Sequence, residues 1–252
     1  MNDLVTALAA LPVDANAFAV SRPRPFCLVI EPRVPTERDF LHDDLLAPAA
    51  REAFWDLVDA TGLVVVRGVH ADPSTYRDVR GRSSRGRLSQ GEYFHHDGCS
   101  GPTKPRVVEI RCPYQTVARS IATSVAPFPA TVYAMLRALP PTLADNVDVH
   151  PWRARLEAED ALPPESLDLV QGLVTRAVRR GLSAADARAY FREVDRACDA
   201  YDEPWQMGES RFIANANATA TTQHRRAYAT TPAARHANGK LLKRWPAEEL
   251  VT

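Results

Sequence analysis

A chain of 252 residues, 45% hydrophobic and 25% charged, has room for a sizeable buried core and the composition of a soluble globular protein. Its 31 Lys and Arg balance its 31 Asp and Glu, which argues against a partner that is nucleic acid or an anionic membrane surface. No apolar run approaches the roughly 20 residues of a membrane span, and Asp3 stands where a secretory signal would be basic, so a cytoplasmic protein is expected.

In chain order, residues 3–11 predict a short helix and Phe26-Cys27-Leu28-Val29-Ile30 a strand. Ala50, Phe54, Leu57 and Val58 recur at helical spacing, predicting a helix over 47–61 that Gly62 stops. The β-branched run Leu63-Val64-Val65-Val66 predicts a buried strand closed by Arg67-Gly68. Residues 71–92 read as a basic loop carrying Arg77, Arg80, Arg82, Arg85 and Arg87, either solvated or a lid that grips an anionic group. Strands are expected around 92–96 and 106–112, and a helix over 129–138 ahead of Pro140-Pro141. Residues 164–201 predict a helical insertion, with Ser183 as an N-cap and Asp186 three residues on. Phe212-Ile213-Ala214 opens a second β region, Asn238-Gly239 signals a hairpin turn, and Lys240–Trp245 is the last strand. Strands, then helices, then strands imply a mixed α+β fold with a mainly β core. Cys27, Cys99, Cys112 and Cys198 are scattered without a CxxC pair, so they read as buried thiols rather than a disulfide framework or zinc site.

The segment Gly91-Glu92-Tyr93-Phe94-His95-His96-Asp97-Gly98 carries the chemistry. Side chains alternate along an extended segment, so His95 and Asp97 point to one side and can chelate one ion, while His96 points away. Two imidazoles and a carboxylate on one face of Fe(II) leave three positions for a bidentate co-substrate and O2. The third ligand comes from after the helices: His224 at the end of a β-like segment, or alternatively His236.

Phe94-His95-His96-Asp97 resembles the metal motif of the taurine dioxygenase and clavaminate synthase group of Fe(II)/2-oxoglutarate oxygenases. Gln223-His224-Arg225-Arg226-Ala227-Tyr228 resembles that group's distal histidine segment, and Gly62–Val69 resembles its N-terminal strand. Arg119-Ser120-Ile121-Ala122-Thr123 looks like the stretch whose hydroxyl binds 2-oxoglutarate. The resemblance implies one oxygenase domain over 1–252, with 164–201 as its helical insertion, folded as a jelly-roll-like double-stranded β-helix. It implies Fe(II), 2-oxoglutarate and O2, with His95, Asp97 and His224 as catalytic metal ligands. It also implies Thr123 and a cation after His224 on the co-substrate. That cation is Arg235 first, then Arg244, then Lys240, since bidentate pairing with a carboxylate favours Arg. The implied reaction is hydroxylation or desaturation of a small molecule, such as an amino acid or a biosynthetic intermediate. Two other readings stay open. Read one residue later, His96-Asp97-Gly98 matches the radical halogenases, which lack the carboxylate; the same residues also fit a zinc hydrolase or metal-binding module. The sequence leaves oligomeric state undefined.

Overall fold

The computed structural model describes residues 11, 17–34, 41–68, 77–79, 93–96, 105–112, 123–206, 208–215, 222–226 and 240–245; for 42–43, 77–79, 112, 224–226 and 240–245 it describes the backbone alone. The β-branched runs make the strands. Phe18–Arg24 (β1) and Cys27–Pro32 (β2) form a hairpin, followed by the helix Arg51–Thr61 (α1) and Leu63–Val66 (β3). Then come Arg77–Val79 (β4), Val107–Cys112 (β5) and Thr123–Pro127 (β6). Helices Phe128–Arg137 (α2), Pro141–Ala144 (α3), His150–Glu159 (α4), Leu167–Gly181 (α5) and Ala184–Ala197 (α6) follow. Glu209–Ala214 (β7), Thr222–Arg226 (β8) and Lys240–Trp245 (β9) return to strand.

Seven strands form one mixed sheet in the order β1-β2-β3-β7-β5-β9-β4, and β6 pairs with β8 in a second, two-stranded sheet. Among the described strands only β2 and β3 pair in parallel, and α1 is their crossover. Gly62 ends α1 at φ 98°, a conformation open to glycine without penalty, and its N–H bonds the Val58 carbonyl at 2.7 Å.

Alternation along the strands divides the core. Phe54, Trp55, Leu57 and Val58 of α1 cover one face of the large sheet, over Leu28, Ile30, Val64, Val66 and Phe212. Phe54 meets Phe212 edge-on at 4.9 Å. Val29, Val65, Val108, Ile110 and Ile213 line the other face and meet Val125 of β6 together with Tyr201 and Trp205. The next residue, Ala126, belongs instead to the helical cluster of Phe94, Val132, Met135, Val170, Val174 and Phe191. The β6–β8 pair therefore lies between the large sheet and a helical layer.

The strands expected at 26–30, 63–66, 106–112 and 240–245 and the helix at 129–138 are present within a residue or two. The helix expected over 47–61 starts at Arg51, after a turn through Ala50. Ser183 caps α6, its Oγ accepting the Asp186 N–H at 3.2 Å. Two helices that were not expected, α3 and α4, lie between Pro141 and Glu159, ahead of the expected insertion at 164. Arg77–Val79, expected in a loop, pairs with Lys240–Leu242. The helix expected at 3–11, most of the basic loop and the Asn238-Gly239 turn lie outside the described residues. Among the described residues no helix is long and apolar enough to cross a membrane.

Cys27 and Cys198 are free, buried thiols, as expected. Burial pushes each from an ordinary value near 9 up to about 12, and pushes the Tyr201 phenol from 10 to about 12. All three are acids whose neutral form the fold holds. Their contribution to stability is complete below the unfolded values and is lost as pH rises through the folded ones. Urea midpoints should therefore fall between pH 9 and 12, the interval set by these shifts. A flat midpoint across that interval would contradict this burial.

Candidate metal-binding site

The residues before and after His95 are nearly fully buried, Phe94 at 1% exposure and His96 at 2%, while His95 is half-buried. Over Phe94, His95 and His96 the side chains alternate, while Asp97 lies outside the described residues. Phe94 packs into the helical cluster and the His96 ring sits edge-on to Phe128 at 4.7 Å, so His95 is turned the other way. Tyr93 stacks on Phe191 at 5.9 Å and steadies the segment's start. Its carbonyl receives the His95 Nδ1 hydrogen bond at 2.8 Å. A carbonyl only accepts, so Nδ1 carries the proton and, in the neutral ring, Nε2 carries the lone pair.

Two glutamines join this segment to β8. Gln223 of β8 donates through Nε2 to His96 Nδ1 at 3.3 Å and to Gln171 Oε1 at 2.8 Å. Gln171, on α5, donates to Gln223 Oε1 at 2.5 Å and to the Phe94 carbonyl at 3.0 Å. In the β6–β8 register, Gln223 stands opposite Ala126 and His224 opposite Val125. Directly opposed residues share a face. Position 224 thus belongs to the face toward the large sheet, and Gln223 to the face toward the helices.

The register also locates other expected residues. Thr123, 1% exposed, stands two residues before Val125 on β6 and so shares its face. Arg244 stands opposite Val108 on β9, on the face of the large sheet that looks toward β6. Lys240 lies on that same face by alternation. Asp97, Arg235, His236 and the arginines at 80, 82, 85 and 87 lie outside the described residues. Among the described residues no group of three or more His, Cys, Asp or Glu side chains stands together as a metal site.

A buried ion pair, not anticipated from the sequence, fixes β6 to the large sheet. Arg211 and Glu209 have side chains at 0% exposure and meet at 2.6 Å. Arg211 also donates to the carbonyls of Thr123 at 2.9 Å and Glu203 at 2.7 Å, and its guanidinium lies over the Trp205 ring at 4.1 Å and the Tyr201 ring at 4.9 Å. Arg67 reaches the other Glu209 oxygen at 3.4 Å. Nothing in the local pattern of Glu209-Ser210-Arg211 announces this burial; the covering Trp205 and the second sheet decide it.

The solved structures to which this chain is similar include two whose descriptions name α-ketoglutarate dependence, one of them an Fe- and α-ketoglutarate-dependent oxygenase. PvcB from Pseudomonas aeruginosa shares 13% identity over 91% of each chain, with a TM-score of 0.45. AAD-2 in complex with Mn(II) and N-oxalylglycine shares 12% over 89% of this chain and 95% of its own, at 0.46. A taurine dioxygenase from Burkholderia xenovorans shares 13% over 84% and 83%, at 0.43. No protein-family model matches the chain. Comparison with curated proteins gives no match either.

Proposed function

We propose that this protein is a non-haem iron(II) oxygenase. It uses 2-oxoglutarate and O2 to hydroxylate or desaturate an unactivated C–H bond of a small molecule, such as an amino acid or a biosynthetic intermediate. His95, Asp97 and His224 are its metal ligands, in a mixed fold closed as a jelly-roll-like double-stranded β-helix. The observation that carries the reading is the Gln223–His96 contact. It joins two segments far apart in sequence, and His95 and His224 are each one residue from it, away from the helical layer. The Tyr93 carbonyl supports the same reading, because a hydrogen bond to one ring nitrogen orients the other toward a metal.

Fe(II) held by these residues would supply the activation of O2, with 2-oxoglutarate as the co-substrate that gives two electrons. The chain's own part is to orient the ligands, hold the co-substrate's far carboxylate by a cation, and keep water out. His96 is engaged by Gln223 and Phe128 on the helical side, which weighs against the shifted motif and the halogenase reading with it.

Anaerobic addition of Fe(II) and then 2-oxoglutarate to metal-free protein should raise a weak visible metal-to-ligand charge-transfer band at one iron per chain. Absence of the band with both present sinks the reading. In the same titration Arg235→Ala should demand far more 2-oxoglutarate with Fe(II) affinity nearly unchanged, since a lost buried carboxylate pair costs about 2–5 kcal/mol. If Arg244→Ala does this and Arg235→Ala does not, the role belongs to β9.

A further inference from the structure

We infer that Gln171, in the second turn of α5, is a positioning residue that sets the seat of the His95 ligand; the inference rests on the function proposed above. The argument is one of forced hydrogen-bond directions. The Phe94 carbonyl only accepts, so the Gln171 amide nitrogen must face it. That choice turns the Gln171 oxygen toward the Gln223 nitrogen, which donates to it at 2.8 Å. The Gln223 oxygen then receives the second Gln171 N–H. The remaining Gln223 N–H is directed to His96 Nδ1. Each amide has two N–H groups, and all of them are committed: one pair holds the glutamines to each other and one pair reaches outward.

The outward bonds land on Phe94 and His96, the residues immediately before and after His95. A helix and a strand therefore hold the segment on both sides of its ligand. The helix cannot readily shift, because Val170, Val174 and Val178 of α5 are all fully buried in the helical cluster. Gln223 and His96 are buried and Gln171 is partly buried, and a polar network enclosed in this way is costly to open once one member is removed. The inserted helices thus act on the metal seat through one side chain, beyond covering the β6–β8 pair.

The test is Fe(II) affinity of metal-free protein under argon, measured well below the melting temperature so that only folded chain is titrated. Gln171→Leu keeps the side chain's bulk and removes both donors; Gln171→Glu keeps an acceptor for Gln223 and removes the donor to Phe94. Both should bind Fe(II) about 10–100-fold more weakly than wild type, the usual cost of losing a partner behind a metal ligand. Arg176→Ala, exposed on the same helix, should bind as wild type. Should Gln171→Leu not fold, the double change Gln171→Leu with Gln223→Leu replaces the whole polar pair by apolar side chains and takes its place. Folded variants with wild-type affinity overturn the inference and leave the functional reading standing. A wild type that takes up no Fe(II) overturns the functional reading, and the inference with it.

Discussion

His95→Ala, Asp97→Ala and His224→Ala should each abolish stoichiometric Fe(II) binding, while His96→Ala should still bind. On the proposed assignment each of the first three removes one of three protein ligands, a loss well beyond the roughly 10–100-fold that partners behind the ligands cost. His96 is nearly fully buried on the helical side, with Gln223 on its Nδ1, so its loss falls in that smaller class. Isothermal titration of the four metal-free variants separates the two classes. A His96→Ala protein without iron beside a His95→Ala protein that retains it would reverse the register, and would restore His96-Asp97-Gly98 as the motif.

Arg211→Leu should destabilise the protein by about 3–5 kcal/mol, the cost of leaving one member of a buried ion pair uncompensated. Glu209 keeps Arg67 as a partner at 3.4 Å, but that cation is partly exposed and cannot replace the 2.6 Å contact. The variant also loses the bonds to the Thr123 and Glu203 carbonyls, so β6 is released from the large sheet. Urea denaturation reads the loss. A change under about 1 kcal/mol would mean that the pair's attraction only offsets the cost of its own burial.

Several elements that could be read locally in the sequence are present in the structure. The β-branched runs at 63–66 and 107–110 form strands because their pattern needs no partner to be recognised. The 94–96 alternation follows from a period of two residues, and the Ser183 cap from a four-residue motif. What depends on distant neighbours was not legible. β1 contains Pro23, which a strand tolerates at a sheet edge, and β1 is the edge strand of this sheet. α4 carries no apolar stripe: Leu156 is its one buried residue, and its surface is laced by Arg153–Glu157 and Arg155–Glu159 pairs at i,i+4 spacing. Gln171 has no sequence signature at all, since a glutamine on an amphipathic helix reads as a solvated residue until the strand it faces is known.

The order β3-β7-β5 has a consequence for how the chain is made. β3 and β5 are finished by residue 112, yet each takes its shared neighbour from residues 209–214. The helices between them leave the ribosome first, and their local contacts can form early. The N-terminal strands meanwhile hold unpaired edges that only β7 closes, and β5 waits longer still for β9 on its other side. Such edges are templates for pairing with another chain. The nascent protein's most aggregation-prone interval thus runs from the emergence of β3 to that of β7, and chaperone contact during synthesis belongs there.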